Sequence, residues 1–243
     1  MVESAGTTLQ SGLFKQTATA GTDPETSTRY LAELAGITPG SHVLDAGCGV
    51  GGPAVTIVRA FPDVVIDGVT ISEVQARMAR RLVTEAGLAN RIRVHLADFH
   101  RLPFRAELFD VVVYFEAIGH SWDRVALFRE SARVLRPGGR LYVKDLFRWE
   151  GPLTDSQRRS MKSFDEVWAI SSSPTLSETE QAIRIAGFCD VEAREHPYID
   201  LRHFFESMVS RDAAGIRLND FGEAFLRFYP NPPASFGDVK ATR

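Results

Sequence analysis

The chain predicts an α/β fold, a doubly wound and mostly parallel sheet with helical cap insertions. Three observations carry this. Short apolar runs alternate with amphipathic helical patterns between residues 23 and 147. That is the rhythm of βαβ units, whose helices cover both faces of a parallel sheet. Runs such as LFDVVVYF (108–115) are almost continuously apolar, as a strand buried on both faces requires. The stretch VLDAGCGVGG (43–52) runs from strand residues into Gly47, Gly49, Gly51 and Gly52. Glycines crowd where the chain turns tightly or a ligand approaches the backbone. The helix that follows offers unpaired N–H groups and a positive dipole end to an anionic or polar ligand.

The elements follow in order. Asp23-Pro24-Glu25 starts a helix with a capping acid, a proline at the first position and an acid in the first turn. Tyr30, Leu31, Leu34 and Ala35 give it an apolar side, and Gly36 stops it. HVLDA (42–46) reads as a strand and 51–61 as a helix. VVIDGV (64–69) is a strand, and Ser72 caps a helix that runs to about residue 86 and stops at Gly87. RIRVHLA (91–97) alternates in polarity and is a strand, followed by the strand 108–115, a helix at 123–135, the turn Arg136-Pro137-Gly138-Gly139 and the strand RLYVKDLF (140–147). Beyond Arg148 the rhythm changes. Ser177 and Glu180 have the spacing of a capping box for a helix to Ala186. FCDVEAREH (188–196) is a strand, 201–229 is helical and rich in Phe, and the tail YPNPPASFGDVKATR reads as extended or disordered.

These elements form one domain over 1–243. Residues 1–22 are a mobile N-terminal segment, 23–147 the cofactor-binding core, and 148–243 a cap and C-terminal substrate-binding region. A net charge of −3 over 243 residues argues against a broad basic face for nucleic acid. Cys48 and Cys189 lie far apart without metal-ligand spacing, which predicts a reduced, cytoplasmic setting, with Cys48 a small turn residue. No apolar run is long enough to span a bilayer. The opening residues lack the charged-then-apolar layout of a signal peptide.

Gly47-x-Gly49-x-x-Gly52 satisfies the dinucleotide fingerprint, and Asp67 lies near the distance expected of a ribose-binding acid. A different set of residues points elsewhere. Asp45, two residues before the first glycine, can face a cationic ligand end. A helix precedes the first strand. Asp98 ends the third strand in ADFHRLPF, where an acid can accept from an adenine amino group. RVLRPGGRLYV closes the fifth strand. Over residues 24–147 this ordered set resembles the class I S-adenosylmethionine-dependent methyltransferases, which implies their Rossmann-like fold and S-adenosylmethionine as cofactor. The string GVTISEVQ (68–75) is similar to the branch containing cyclopropane fatty acid synthases, tocopherol methyltransferases and sterol methyltransferases. The resemblance implies that Thr70 meets the ribose, Ile71 packs on adenine and Gln75 reaches the cofactor. Gly47, Gly49, Asp98 and Phe99 complete the cofactor set.

VYFEAIGHSWD (113–123) is similar to the corresponding segment of sterol C-methyltransferases, matching at Glu116, Ala117, His120 and Asp123 but not at Ile118 and Gly119. Transfer to an alkene carbon creates a carbocation that must be stabilised and then lose a proton, and a carboxylate such as Glu116 can do both. Tyr114, Phe115 and Trp122 flank it, with Trp149, Phe164, Trp168, Phe204 and Phe205 in the cap. The expected reaction is therefore methylation of a carbon of a small unsaturated, isoprenoid-like acceptor, with Glu116 as base and His120 assisting. Arg148, Arg158, Arg159, Lys162, Arg202, His203 and Arg211 could hold a phosphate or diphosphate, with magnesium entering in that case. No compact acid-rich metal motif is present. The rival readings are an O- or N-methyltransferase of specialised metabolism with His120 as base, a non-catalytic relative that keeps the cofactor as a structural ligand, and an NAD-dependent dehydrogenase. The acceptor and the oligomeric state, a homodimer included, stay open.

Overall fold

The computed structural model describes residues 24–195 and 234–243. Helix α1 (Pro24–Leu34) leads into β1 (His42–Ala46), α2 (Gly52–Ala60), β2 (Val65–Thr70), α3 (Glu73–Glu85), β3 (Ile92–Leu96) and β4 (Phe109–Phe115). A single 3-10 turn (Ile118–His120) follows, then α4 (Arg124–Val134), β5 (Leu135–Arg148), α5 (Asp155–Val167), α6 (Leu176–Ile185), β6 (Cys189–Glu195) and β7 (Ala234–Thr242). The seven strands form one sheet in the order β3-β2-β1-β4-β5-β7-β6. β1 to β5 are parallel, and β7 runs antiparallel between β5 and β6. The order reverses between β1 and β4, the switch point outside whose carboxyl ends ligands bind in open α/β sheets.

Each face of the sheet carries its own core. Leu31, Ile57, Val58 and Val83 of α1, α2 and α3 pack on Val43, Ile66, Val113 and Tyr142. Leu127, Phe128 and Ile183 of α4 and α6 pack on Leu44, Val112, Leu141 and Val239. Each fully buried side chain of this size contributes about 1.5–3 kcal/mol, so both faces are held firmly and the strand ends above them are fixed. Tyr30, expected on the buried side of α1, is exposed.

Three expectations change. The turn 136–139 is an irregularity inside β5: Leu135 pairs with Phe109 and Arg140 with Val111, so four residues loop out, and Gly138 takes φ +76°. The cap of α6 is Thr175, whose hydroxyl accepts from Glu178 N (3.1 Å) while Glu178 accepts from Thr175 N (2.8 Å). Ser177 instead donates to Glu150, and Glu180 pairs with Arg184 at 2.7 Å. The tail contains β7, which pairs along β5 from Arg140↔Thr242 to Arg148↔Ala234. β6 and β7 thus belong to the core sheet although they lie beyond residue 148. The Phe-rich stretch 201–229, the N-terminal segment 1–22 and Asp23 lie outside the described residues.

Candidate active site

β1 delivers Asp45 near its carboxyl end. The side chain is 2% exposed, its Oδ2 has no hydrogen-bond partner, and burial pushes its pKa up to about 7. An orphaned carboxyl oxygen in the interior is costly unless a ligand completes it. The glycine turn follows directly. Gly47 N and Cys48 N both donate to Val69 O at 2.9 Å, which ties the turn to β2. Gly47 has φ +91°, and a Cβ there would lie 2.5 Å from the Ala117 Cβ. The glycine is therefore what lets the segment after β4 close onto the turn. Gly49 has φ +54° with nothing within 4 Å of its Cβ position, which leaves room for a ligand. Gly51 caps α2 without a side-chain bond, so the first N–H groups of that helix carry no side-chain cap.

At the end of β2, the Thr70 hydroxyl donates to Gln75 Oε1 (2.8 Å) and accepts from Ser72 N (3.2 Å). Thr70 is buried, so its hydroxyl orients Gln75 and the exposed Gln75 amide is the group available to a ligand. Ile71 is 73% exposed, a free apolar surface beside the turn. After β3, Asp98 Oδ1 accepts from His100 N (2.8 Å) and from His100 Nδ1 (2.9 Å). Phe99 is partly buried, packed against the core with its ring centroid 6.0 Å from that of Tyr114.

Asp67 is occupied elsewhere. It sits mid-strand in β2 and accepts from His42 Nε2 and His95 Nε2, each at 2.7 Å, with Arg93 at 3.9 Å. Burial alone would raise this acid, but the two histidine bonds outweigh it and hold the carboxyl below its ordinary value. Asp67 is buried and each of its oxygens already accepts from a histidine, so it is not presented to a ribose as the dinucleotide reading requires.

After β4, Glu116 adopts φ +54°, a left-handed conformation that costs a non-glycine residue energy. Its carboxylate is bonded by Lys144 of β5, and its N–H donates to Lys144 O at 2.7 Å. Lys144 is 0% exposed, and its Nζ lies 4.5 Å from the centre of the Phe236 ring. Next to it, buried Asp145 accepts from Ile118 N (3.0 Å) and Leu146 N (2.8 Å). Burial, and then the Glu116 charge, push Asp145 up to about 7. Sequence reading missed Lys144 and Asp145; their signal was a charged pair inside the otherwise apolar strand LYVKDLF.

His120 ends the 3-10 turn with its side chain exposed. Its Nδ1 lies 3.1 Å from Ala169 O. A carbonyl only accepts, so Nδ1 carries the proton and the neutral ring keeps its lone pair on Nε2. The same cap loop holds the segment elsewhere, through Ser171 N to Gly119 O (3.0 Å) and Arg124 to Ser172. Beside it opens a cavity of about 610 Å³ lined by Trp122, Arg124, Arg148, Asp165, Ser173 and Glu178.

Several of the aromatics that flank Glu116 in sequence or lie in the cap fill the interior. Tyr114, Phe115 and Phe164 are buried in the core, and Trp168 packs on Phe164 at 5.9 Å. Trp122 instead stacks on His100, and Trp149 is partly exposed. Of the expected anion-binding cations, Arg148 pairs with Glu178, Arg158 with Asp155 and Lys162 with Glu166, while Arg159 is exposed. Arg202, His203, Arg211, Phe204 and Phe205 lie outside the described residues. Among the described residues, no group of three or more His, Cys, Asp or Glu side chains could hold a metal ion, and no helix is long and apolar enough to cross a membrane.

Residues 43–139 match the methyltransferase domain family. The chain is 39% identical over 168 residues to the 27-O-demethylrifamycin SV methyltransferase of Amycolatopsis mediterranei, covering 67% of this chain and 60% of that protein. It is 34% identical over 166 residues to a sterol 24-C-methyltransferase of Gibberella zeae, covering 65% of this chain and 42% of that one. It thus spans less than two thirds of the length of either relative. The geranyl diphosphate C-methyltransferase of Streptomyces coelicolor, solved with Mg2+, geranyl diphosphate and S-adenosylhomocysteine, shares the fold at a TM-score of 0.76 and 19% identity, over 90% of this chain and 78% of that one.

Proposed function

From a chain that carries a methyltransferase domain of the class I fold, we propose an enzyme that moves a methyl group from S-adenosylmethionine to a nucleophilic oxygen or nitrogen of a small-molecule acceptor. The observation that carries this reading is the bond from His120 Nδ1 to Ala169 O. It leaves an exposed imidazole with Nε2 as its basic atom, on the segment that packs against the glycine turn.

The residues around the turn suit this cofactor. Asp45 balances a cationic amino group, and the open backbone at Gly49 and the start of α2 admits the polar body of the ligand. Ile71 offers an apolar surface to the adenine, and Gln75 and Asp98 offer polar groups on either side. When bound, S-adenosylmethionine supplies a methyl carbon made electrophilic by its positively charged sulfur. His120 Nε2 takes the proton from the acceptor's hydroxyl or amine as that atom bonds to the methyl carbon and the carbon–sulfur bond breaks. We place the acceptor between His120 and the cavity lined by Trp122 and Arg124, whose wall begins two residues beyond His120 in the chain. Glu116 keeps its segment in place: its carboxylate is already paired with a buried lysine, which reduces its power to stabilise a cation.

A second reading is C-methylation of an unsaturated carbon with Glu116 as base. It is favoured by the left-handed backbone of Glu116, since strain of that kind collects at functional positions, and by the similarity to a sterol 24-C-methyltransferase. Incubation with methyl-labelled cofactor and a panel of hydroxylated natural-product scaffolds and prenyl diphosphates separates the two. Carbon NMR of the product then identifies the methylated atom. A new O–CH3 or N–CH3 signal fits the first reading, and a new C–CH3 signal replaces it with the second.

A further inference from the structure

His100 joins two parts of the rim that the sequence treats separately. Its ring Nδ1 lies 2.9 Å from Asp98 Oδ1 and its Nε2 lies 2.8 Å from Ser121 Oγ. A carboxylate only accepts, so Nδ1 carries a proton, while Nε2 meets the Ser121 hydroxyl, which can donate or accept. The imidazole side chain is nearly buried, and two bonds at opposite corners fix its plane. The Trp122 indole stacks on that plane, with centroids 4.7 Å apart and an interplanar angle of 29°. Trp122 is 71% exposed and is one of the residues lining the 610 Å³ cavity. Ser121 is itself buried and cannot serve as a nucleophile toward an external substrate.

We propose that His100 is a positioning residue: it holds Trp122 as a wall of the acceptor cavity in a place set by Asp98 of the cofactor rim. The inference rests on the reading of Asp98 as a cofactor-binding residue. Asp98 Oδ1 takes both bonds from His100, so a ligand that engages this carboxylate shifts the group that orients the ring, and the indole follows. Cofactor occupancy then shapes the acceptor side before an acceptor arrives.

The test is tryptophan fluorescence of the full chain titrated with S-adenosylhomocysteine, with affinity measured separately by calorimetry. The wild type is expected to show a fluorescence change on binding, and Trp122→Phe is expected to lose most of it. His100→Phe keeps a ring for the stack and loses both hydrogen bonds. It is expected to abolish the Trp122 response and to raise the Kd about tenfold, the effect of losing one hydrogen bond to a charged group. His100→Asn, which retains a donor at the Nδ1 position, is expected to recover affinity but not the Trp122 response. If His100→Phe binds and responds as the wild type does, His100 only fills space and the proposal falls. It also falls if the wild type binds without any change at Trp122. If the wild type does not bind S-adenosylhomocysteine at all, the cofactor reading itself is overturned.

Discussion

Asp45 makes the affinity of the cofactor site depend on pH in a direction the structure dictates. Its carboxyl is buried, one oxygen has no partner, and burial raises it to about 7. Without ligand it is mostly protonated below that pH, and a cationic amino group placed against it favours the carboxylate. Binding below pH 7 must therefore expel a proton, and binding well above it need not. Affinity is full on the alkaline side and declines as pH falls below 7, until the bound-state pKa is reached. With the free-state value near 7, the ionised fraction is about a tenth at about pH 6 and about nine tenths at about pH 8, so Kd for S-adenosylhomocysteine rises about tenfold between them. Calorimetry in two buffers of different ionisation enthalpy counts the proton directly, about half a proton released at about pH 7. Asp45→Asn removes the dependence and weakens binding by about 2–3 kcal/mol, on the order of a hundredfold in Kd. If Asp45→Asn keeps the same slope against pH, another group titrates, with buried Asp145 the first suspect, and the role given to Asp45 is refuted.

Three further outcomes follow from the same geometry. Gly47→Ala forces a Cβ to 2.5 Å from that of Ala117 at φ +91°, and is expected to cost about 3 kcal/mol of stability in denaturant unfolding and to abolish S-adenosylhomocysteine binding. Lys144→Met leaves Glu116 without its lysine and is expected to cost about 2–3 kcal/mol, below the value for a fully buried pair because Glu116 is partly exposed. Adding Glu116→Gln to that variant should restore at least about 1 kcal/mol, and a purely additive double mutant would deny the pairing. Asp67 has a lowered folded-state pKa, so its contribution is complete above the ordinary carboxylate value and is lost as pH falls toward the folded one. Asp67→Asn should be less stable by about 2 kcal/mol near neutrality, with the gap from wild type narrowing in acid melts.

Much of this was legible in the chain because backbone requirements leave marks. The parallel strands wrote themselves as apolar runs, or in β3 as an alternation of polarity, Ser72 as a cap, and Gly47 and Gly49 as a turn. β7 was hidden because its segment follows a proline-rich stretch and carries Gly237 mid-strand. That glycine is needed because a Cβ would meet Arg194 O at 2.8 Å and the Phe147 ring at 3.0 Å, neighbours that only the folded sheet supplies. At the site, residue types were readable but their allegiance was not. Glu116 looked available until Lys144 took it, Asp67 looked like a ribose acid until His42 and His95 claimed it, and His100 drew no attention although it makes two of the rim's hydrogen bonds. Apart from the local bond between His100 and Asp98, these partners come from different strands or loops, and such pairings are set by sheet order and register, which local patterns do not encode.

The central claim, that His120 is the base and Glu116 a structural acid, is tested most directly by the turnover of two variants on the same methylated acceptor. The account predicts that His120→Gln lowers kcat at least about a hundredfold, while Glu116→Gln stays within about tenfold of wild type and mainly loses stability. The opposite pattern, with Glu116→Gln inactive and His120→Gln near wild type, would contradict it.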